Sequence, residues 1–183
     1  MKQKILLHVC CAICGAALTE LLKDKYDVVI LFYNPNIHPK EEYEKRKDSV
    51  KKLAEIYNLQ FIEGEYDDKN WFELVKGLEQ EPEGGARCPV CFKMRLEKTG
   101  QVAKENNCTG FLTTLAMSPY KNENQINEIA LRLASLTQGK AKFLTLKDLG
   151  IDKKQIWQKS RELARKYEFY HQKYCGCVYS IRN

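Results

Sequence analysis

Lys4-Ile5-Leu6-Leu7-His8-Val9-Cys10-Cys11-Ala12-Ile13-Cys14-Gly15-Ala16 joins a short apolar run directly to a cysteine-rich stretch. Residues 4–9 read as a buried strand, 10–15 as a loop and 16–23 as a helix, which together make the opening of a βα unit. Working outward, the same alternation continues. Residues 27–33 are a second strand, broken by Asn34-Pro35-Asn36, and His38-Pro39 starts a long helix with proline in its first turn, where a missing N–H does no harm. Tyr43, Val50, Leu53, Ala54 and Tyr57 form its apolar face, and Glu41/Lys45 and Glu42/Arg46 are expected as i,i+4 pairs on its exposed face. A third strand is expected at 59–62, a short helix at 71–78, and a helix from Cys88 to about 106 with Pro89 in its first turn. Beyond it come a strand at 111–117, a helix at 123–136, a strand at 143–146 and a basic helix at 153–167. The pattern predicts an α/β fold with a mainly parallel sheet, helices on both faces, a helical C-terminal part, and ligands at the carboxyl ends of the strands.

The 183 residues suit one domain, 1–183, large enough to bury a core without disulfides. Its apolar stretches are too short to span a bilayer, and the N-terminus lacks the pattern of a signal peptide, so a cytoplasmic protein without membrane partners is expected. In that compartment thiols stay reduced, and eight cysteines argue for metal binding or redox catalysis over a disulfide framework. The formal charge of +6 is concentrated at the end: residues 151–183 hold eight Lys/Arg against three acids, net +5. Such a run suits a phosphate-rich partner or a solvated helix face.

Seven cysteines fall into three groups: Cys10, Cys11 and Cys14; Cys88 and Cys91; Cys175 and Cys177. The C-x-x-C of Cys88 and Cys91 lies at a helix start, where the dipole is expected to lower thiol pKa and favour the metal-binding thiolate. Soft thiolates with few histidines select zinc or iron–sulfur clusters, and seven grouped thiols exceed the needs of one structural zinc site. Cys175-Gly176-Cys177 can form a strained, easily reduced disulfide across the flexible glycine, or can add metal ligands. Cys108 stands alone. His8 reads as a core residue, His38 as a candidate helix cap, and the aromatic-basic stretch 167–174 around His171 suits either base stacking or core packing. Neither a G-x-G-x-x-G fingerprint nor a G-x-x-x-x-G-K-S/T loop occurs, so neither nicotinamide nor ATP is implied.

Four motifs carry a resemblance: His8-Val9-Cys10-Cys11-Ala12-Ile13-Cys14, Phe32-Tyr33-Asn34-Pro35-Asn36-Ile37-His38-Pro39, Glu83-Gly84-Gly85-Ala86-Arg87-Cys88-Pro89-Val90-Cys91, and Tyr174-Cys175-Gly176-Cys177-Val178-Tyr179-Ser180. With Thr113-Thr114-Leu115 through Ser118-Pro119, they make a sequence that resembles QueH-type epoxyqueuosine reductase over essentially its whole length. The resemblance implies cobalamin-independent, two-electron removal of the epoxide oxygen from epoxyqueuosine at the tRNA wobble position, giving queuosine. It implies a [4Fe-4S] cluster with Cys10, Cys11, Cys88 and Cys91 around it, and Cys175 with Cys177 as a redox-active pair able to form a disulfide bond. Family members can place an acidic residue at the position of Cys14 beside an additional iron ion, so Cys14 is a candidate ligand to a second iron. Tyr33, Asn34, His38, Arg87 and Arg95 are the substrate-binding candidates, with Tyr33, His38, Asp67 or a bound water as the proton donor. Lys153, Lys154, Lys159, Arg161, Arg165 and Lys166 are expected to hold tRNA phosphates, with Arg87, Lys93 and Arg95 as the alternative grip. The early βα layout also resembles the nucleotide-binding fold of tRNA-thiolating enzymes. A zinc-stabilised RNA-binding module and a metal-free thiol–disulfide oxidoreductase are the competing classes.

Overall fold

The computed structural model describes residues 1–136 and 140–181; Arg182, counted in the tail's charge, lies outside them. Five parallel strands form one sheet: β1 (Lys4–His8), β2 (Asp27–Phe32), β3 (Gln60–Glu63), β4 (Gly110–Thr113) and β5 (Lys142–Phe143), in the order β3-β2-β1-β4-β5. Because both faces are covered, the central strands carry unbroken apolar runs, Ile5–Leu7 in β1 and Val28–Phe32 in β2, and alternate residues feed two cores. Ile5, Leu7, Val28, Ile30 and Phe32 pack on one side with helices α1 (Ala12–Lys23), α2 (Lys40–Ile56) and α6 (Lys153–Lys166). Leu6, Val29, Leu31 and Phe111 pack on the other with α3 (Asp68–Leu74), α4 (Arg87–Glu105) and α5 (Glu123–Leu136). The chain leaves β1 toward one face and β4 toward the other. Their carboxyl ends therefore border the crevice where such sheets bind ligands. Among the described residues no helix is long and apolar enough to cross a membrane.

Several boundaries differ from the sequence reading, each for a local reason. Helix α1 begins at Ala12, not at 16, because the Cys11 thiol acts as its cap and accepts the Cys14 N–H at 3.4 Å. The strand expected at 111–117 ends at Thr113, where its partner β1 also ends. Thr113 Oγ1 then accepts the Leu115 N–H at 3.1 Å and turns Thr114–Met117 into one turn of 3-10 helix. Strand β5 is cut to two residues because Thr145 is drawn into a turn by the Asp148 carboxylate at 2.9 Å. Pro39, not His38, occupies the N-cap of α2, and no side chain caps it.

The largest departure concerns α2. Glu42 and Arg46, expected on an exposed face, are 7% and 2% exposed. They lie beneath the C-terminal segment that follows α6. Lys52 Nζ donates to Tyr167 O at 2.7 Å, Tyr170 N donates to Ser49 Oγ at 3.1 Å, and Tyr170 Oη donates to Glu42 Oε2 at 2.6 Å. Arg46 donates to Tyr174 O at 2.9 Å and to Cys175 O at 3.2 Å, and His38 N donates to Gly176 O at 2.8 Å. The segment is thereby strapped across α2 and the 34–38 loop.

Candidate active site

The end of β1 delivers Cys10 and Cys11, and the first turn of α1 returns Cys14 to meet them. The three thiol sulfurs lie within 4.8 Å of one another. Thr114, at the end of β4, closes the group: its Oγ1 accepts the Cys10 N–H at 3.2 Å and lies 3.5 Å from Cys10 Sγ. Gln172 of the C-terminal strap donates its amide to Cys11 Sγ at 2.8 Å. Hydrogen bonds from the Cys11 and Cys14 thiols hold Cys10 well below the ordinary thiol pKa. Burial pushes Cys11 up to about 12, and hydrogen bonding to Cys10 and Cys11 raises Cys14. The group therefore favours one thiolate, at Cys10, steadied by two thiols.

Cys88 and Cys91 line a cavity of about 40 Å³ together with the strapped Cys175 and Cys177. All eight cysteines are free thiols. Cys88 corrects one expectation. The helix start was expected to lower its pKa, but burial raises it, against the opposing Gly84 N–H at 3.2 Å. Gly176 adopts φ +105°, a left-handed conformation that lets the chain turn between Cys175 and Cys177.

Cys175 also lines a second, larger cavity of about 1120 Å³, onto which Cys10 and Cys14 open. Lys121, Arg161, Arg165, Lys173 and His171 give its wall a basic character, and Tyr120, Trp157, Tyr170 and Tyr174 supply aromatic rings. The basic helix is divided by this geometry. Arg161 and Arg165 line the cavity, whereas Lys153 pairs with Glu123 at 3.2 Å and Lys159 with Glu20 at 3.7 Å.

The remaining sequence candidates are placed as follows. Arg87 and Arg95 line the small cavity, while Tyr33, Asn34, His38 and Asp67 line neither. Arg87 Nη1 donates to the carbonyls of Leu78, Glu79 and Glu81, which shapes the loop before α4. Asn34 accepts from Arg95 Nη2 at 2.5 Å and donates to Val9 O at 3.0 Å, tying α4 to the end of β1. His38 sits among the rings of Tyr66, Trp71 and Phe72, and burial lowers its pKa. Burial and Asp67 push Tyr33 up to about 12. His8 is a core residue whose Nε2 donates to Tyr33 O at 3.1 Å, and burial lowers its pKa to about 4. The sequence does not single out Lys121 and marks Trp71 only as the start of a short helix, while Arg46, Thr114 and Gln172, present there in a helix pair, a motif and the aromatic-basic stretch, carry no signal of a role at the site.

A family model described as Epoxyqueuosine reductase QueH matches residues 5–183. A relative of that name from Acinetobacter baylyi is 44% identical over 182 residues, spanning 99% of this chain and 82% of its own. Another, from Thermotoga maritima, is 36% identical over 180 residues, spanning 97% and 90%. Among solved structures, the U34-tRNA thiolase NcsA from Methanococcus maripaludis with its [4Fe-4S] cluster superposes with a TM-score of 0.63 at 18% identity. That match covers 99% of this chain and 62% of the thiolase, and it shows a shared fold. The chain, an oxidoreductase, belongs to the QueH family of epoxyqueuosine reductases.

Proposed function

We propose that the protein reduces epoxyqueuosine to queuosine at the wobble position of tRNA, in the cytoplasm, using a [4Fe-4S] cluster. The observation that carries this reading is the opening of Cys10, Cys14 and Cys175 onto one large basic, aromatic cavity. Soft donors fit such a cluster: three buried or half-buried thiols converge without a carboxylate among them, and four more surround the adjoining cavity. Cys10, Cys11, Cys88 and Cys91 would hold it, and Cys14 would offer a thiolate to a second iron. When bound, the cluster supplies single-electron transfer and an iron able to polarise oxygen.

Removing an epoxide oxygen breaks two C–O bonds and consumes two electrons and two protons, leaving an alkene and water. Oxidation of Cys175 and Cys177 from dithiol to disulfide releases two electrons and two protons, which balances that demand. A cellular reductant of unidentified kind then restores the dithiol. Arg161, Arg165, Lys121 and Lys173 attract anticodon phosphates, and Tyr120, Trp157 and Tyr174 offer faces for unstacked bases. Arg95 and Asn34 fix α4 against β1 and so set the spacing between the two thiol groups. Burial raises the Tyr33 hydroxyl from its ordinary pKa of 10 to about 12.

Protein prepared without oxygen should be brown, contain iron and sulfide, and convert epoxyqueuosine tRNA to queuosine tRNA with a chemical reductant. A colourless, zinc-only protein from the same preparation would refute the reading.

A further inference from the structure

The small cavity is unusual in its polar groups. Trp71, Arg87 and Arg95 are each at most 2% exposed, and each leaves one N–H-bearing nitrogen buried without a hydrogen-bond partner: Trp71 Nε1, Arg87 Nη2 and Arg95 Nε. All three residues line the cavity with Cys88, Cys91, Cys175 and Cys177. Asn36 lines it too, with Oδ1 unpartnered, and rotation of its amide would present an N–H there instead. Buried donors are almost always satisfied, and leaving one unpaired costs about 1–3 kcal/mol. Three such residues around one cavity, two of them arginines, suit an anionic acceptor. The four thiols that line the same cavity point to sulfur as that acceptor.

We infer that Trp71, Arg87 and Arg95 donate hydrogen bonds to the sulfurs of the iron–sulfur group held from Cys88 and Cys91, and so raise its reduction potential. The inference rests on the cluster proposed above. Such bonds strengthen when an added electron makes the sulfurs more negative, so they favour the reduced state. Positive charge from the two guanidinium groups acts in the same direction. These residues are positioning groups: they act on the cluster, not on the tRNA.

Trp71→Phe tests this cleanly, because it removes the indole N–H and keeps an aromatic ring against His38, Phe72 and Tyr179. Arg95→Lys is the second variant, keeping the charge and losing the Nε donor together with the Nη2 bond to Asn34. Thr19→Val is the control: Thr19 Oγ1 is also buried and unpartnered, but Thr19 lines neither cavity. Anaerobic redox titration of the three variants and the parent, followed by electron paramagnetic resonance, reads the potential without any turnover. In Trp71→Phe and Arg95→Lys the equilibrium constant for one-electron reduction should fall about tenfold, equivalent to about 59 mV, while Thr19→Val matches the parent. Parent-like potentials in both cavity variants would overturn the inference, leaving water as the partner of these donors and the cluster reading intact. A parent protein with no iron–sulfur signal would overturn both.

Discussion

Arg46→Met removes the guanidinium that holds the C-terminal strap, and its cost follows from what is left behind. Arg46 donates to Glu42 Oε1 through Nε at 2.7 Å and lies 2.6 Å from it through Nη2, with the Arg46 side chain 2% exposed and that of Glu42 9%. It also serves the carbonyls of Tyr174 and Cys175. Without it, the Glu42 carboxylate keeps the Tyr170 hydroxyl but loses its counter-ion. Removing one partner of a buried ion pair costs about 3–5 kcal/mol. The two abandoned carbonyls are only partly buried and can recruit water, so they add at most about 1 kcal/mol. A loss of about 4 kcal/mol is large against a total stability of about 5–15 kcal/mol. It should appear as a lower urea midpoint and as faster alkylation of Cys175 and Cys177. The double variant Arg46→Met, Glu42→Leu separates the two effects. It removes the stranded charge and should recover most of the urea midpoint, yet the cysteines should stay fast to alkylate, because nothing then holds the 174 and 175 carbonyls. An Arg46→Met protein within about 1 kcal/mol of the parent, with parent-like alkylation, would show that the pair behaves as an ordinary surface ion pair.

Gly176→Ala should destabilise the strap by about 1–3 kcal/mol, because the residue sits at φ +105° and a Cβ would lie 2.8 Å from Ile37 Cγ1 and 3.3 Å from Arg46 Nη1. Limited proteolysis of the C-terminal segment measures this; a parent-like rate would contradict the geometry. Alkaline titration tests Tyr33, whose pKa is raised by burial from 10 to about 12. The unfolded chain loses this proton first, so the contribution is intact below pH 10 and is lost as pH rises through 12. Allowing for partial solvent screening, it amounts to about 1–2 kcal/mol, and Tyr33→Phe should flatten the stability curve above pH 10. For tRNA binding, the double change Arg161→Ala, Arg165→Ala should weaken affinity and lower the log–log salt slope by about 1.4–1.8. Lys153→Ala, Lys159→Ala should change it less, because Glu123 and Glu20 already engage those lysines. Equal effects from the two pairs would mean that the cavity does not receive the phosphates.

Much of this protein is written locally. Apolar runs alternating with amphipathic stretches determined a parallel sheet covered on both faces, and among the described residues the five strands and six α-helices occur where that alternation puts them, within a few residues. The grouping of thiols was equally legible, because Cys10, Cys11 and Cys14 are close in sequence, and one helical turn brings Cys14 back to the end of β1. What the pattern misread was where elements end and what they face. Thr113 closes β4 because β1 ends opposite it, and a pairing partner is not visible from residues 111–117 alone. Glu42 and Arg46 have the spacing of any solvated pair on a helix. Only the return of a segment about 130 residues later covers them and turns an exposed ion pair into the anchor of Cys175.

The tertiary structure alone also decided how the seven grouped cysteines divide. By sequence they are a trio and two pairs. In space the strap sets Cys175 and Cys177 beside Cys88 and Cys91, leaves the trio at the switch point of the sheet, and puts Cys175 on the border of both cavities. The unpartnered nitrogens of Trp71, Arg87 and Arg95 belong to the same category: the two arginines were legible as binding candidates, but which of their nitrogens lack a partner, and that Trp71 from another helix joins them at one cavity, were not. Periodicity and motif spacing report the backbone's local path. Burial, hydrogen-bond satisfaction and the meeting of distant segments depend on how the whole chain closes on itself, and those determine which of its polar groups remain free to act.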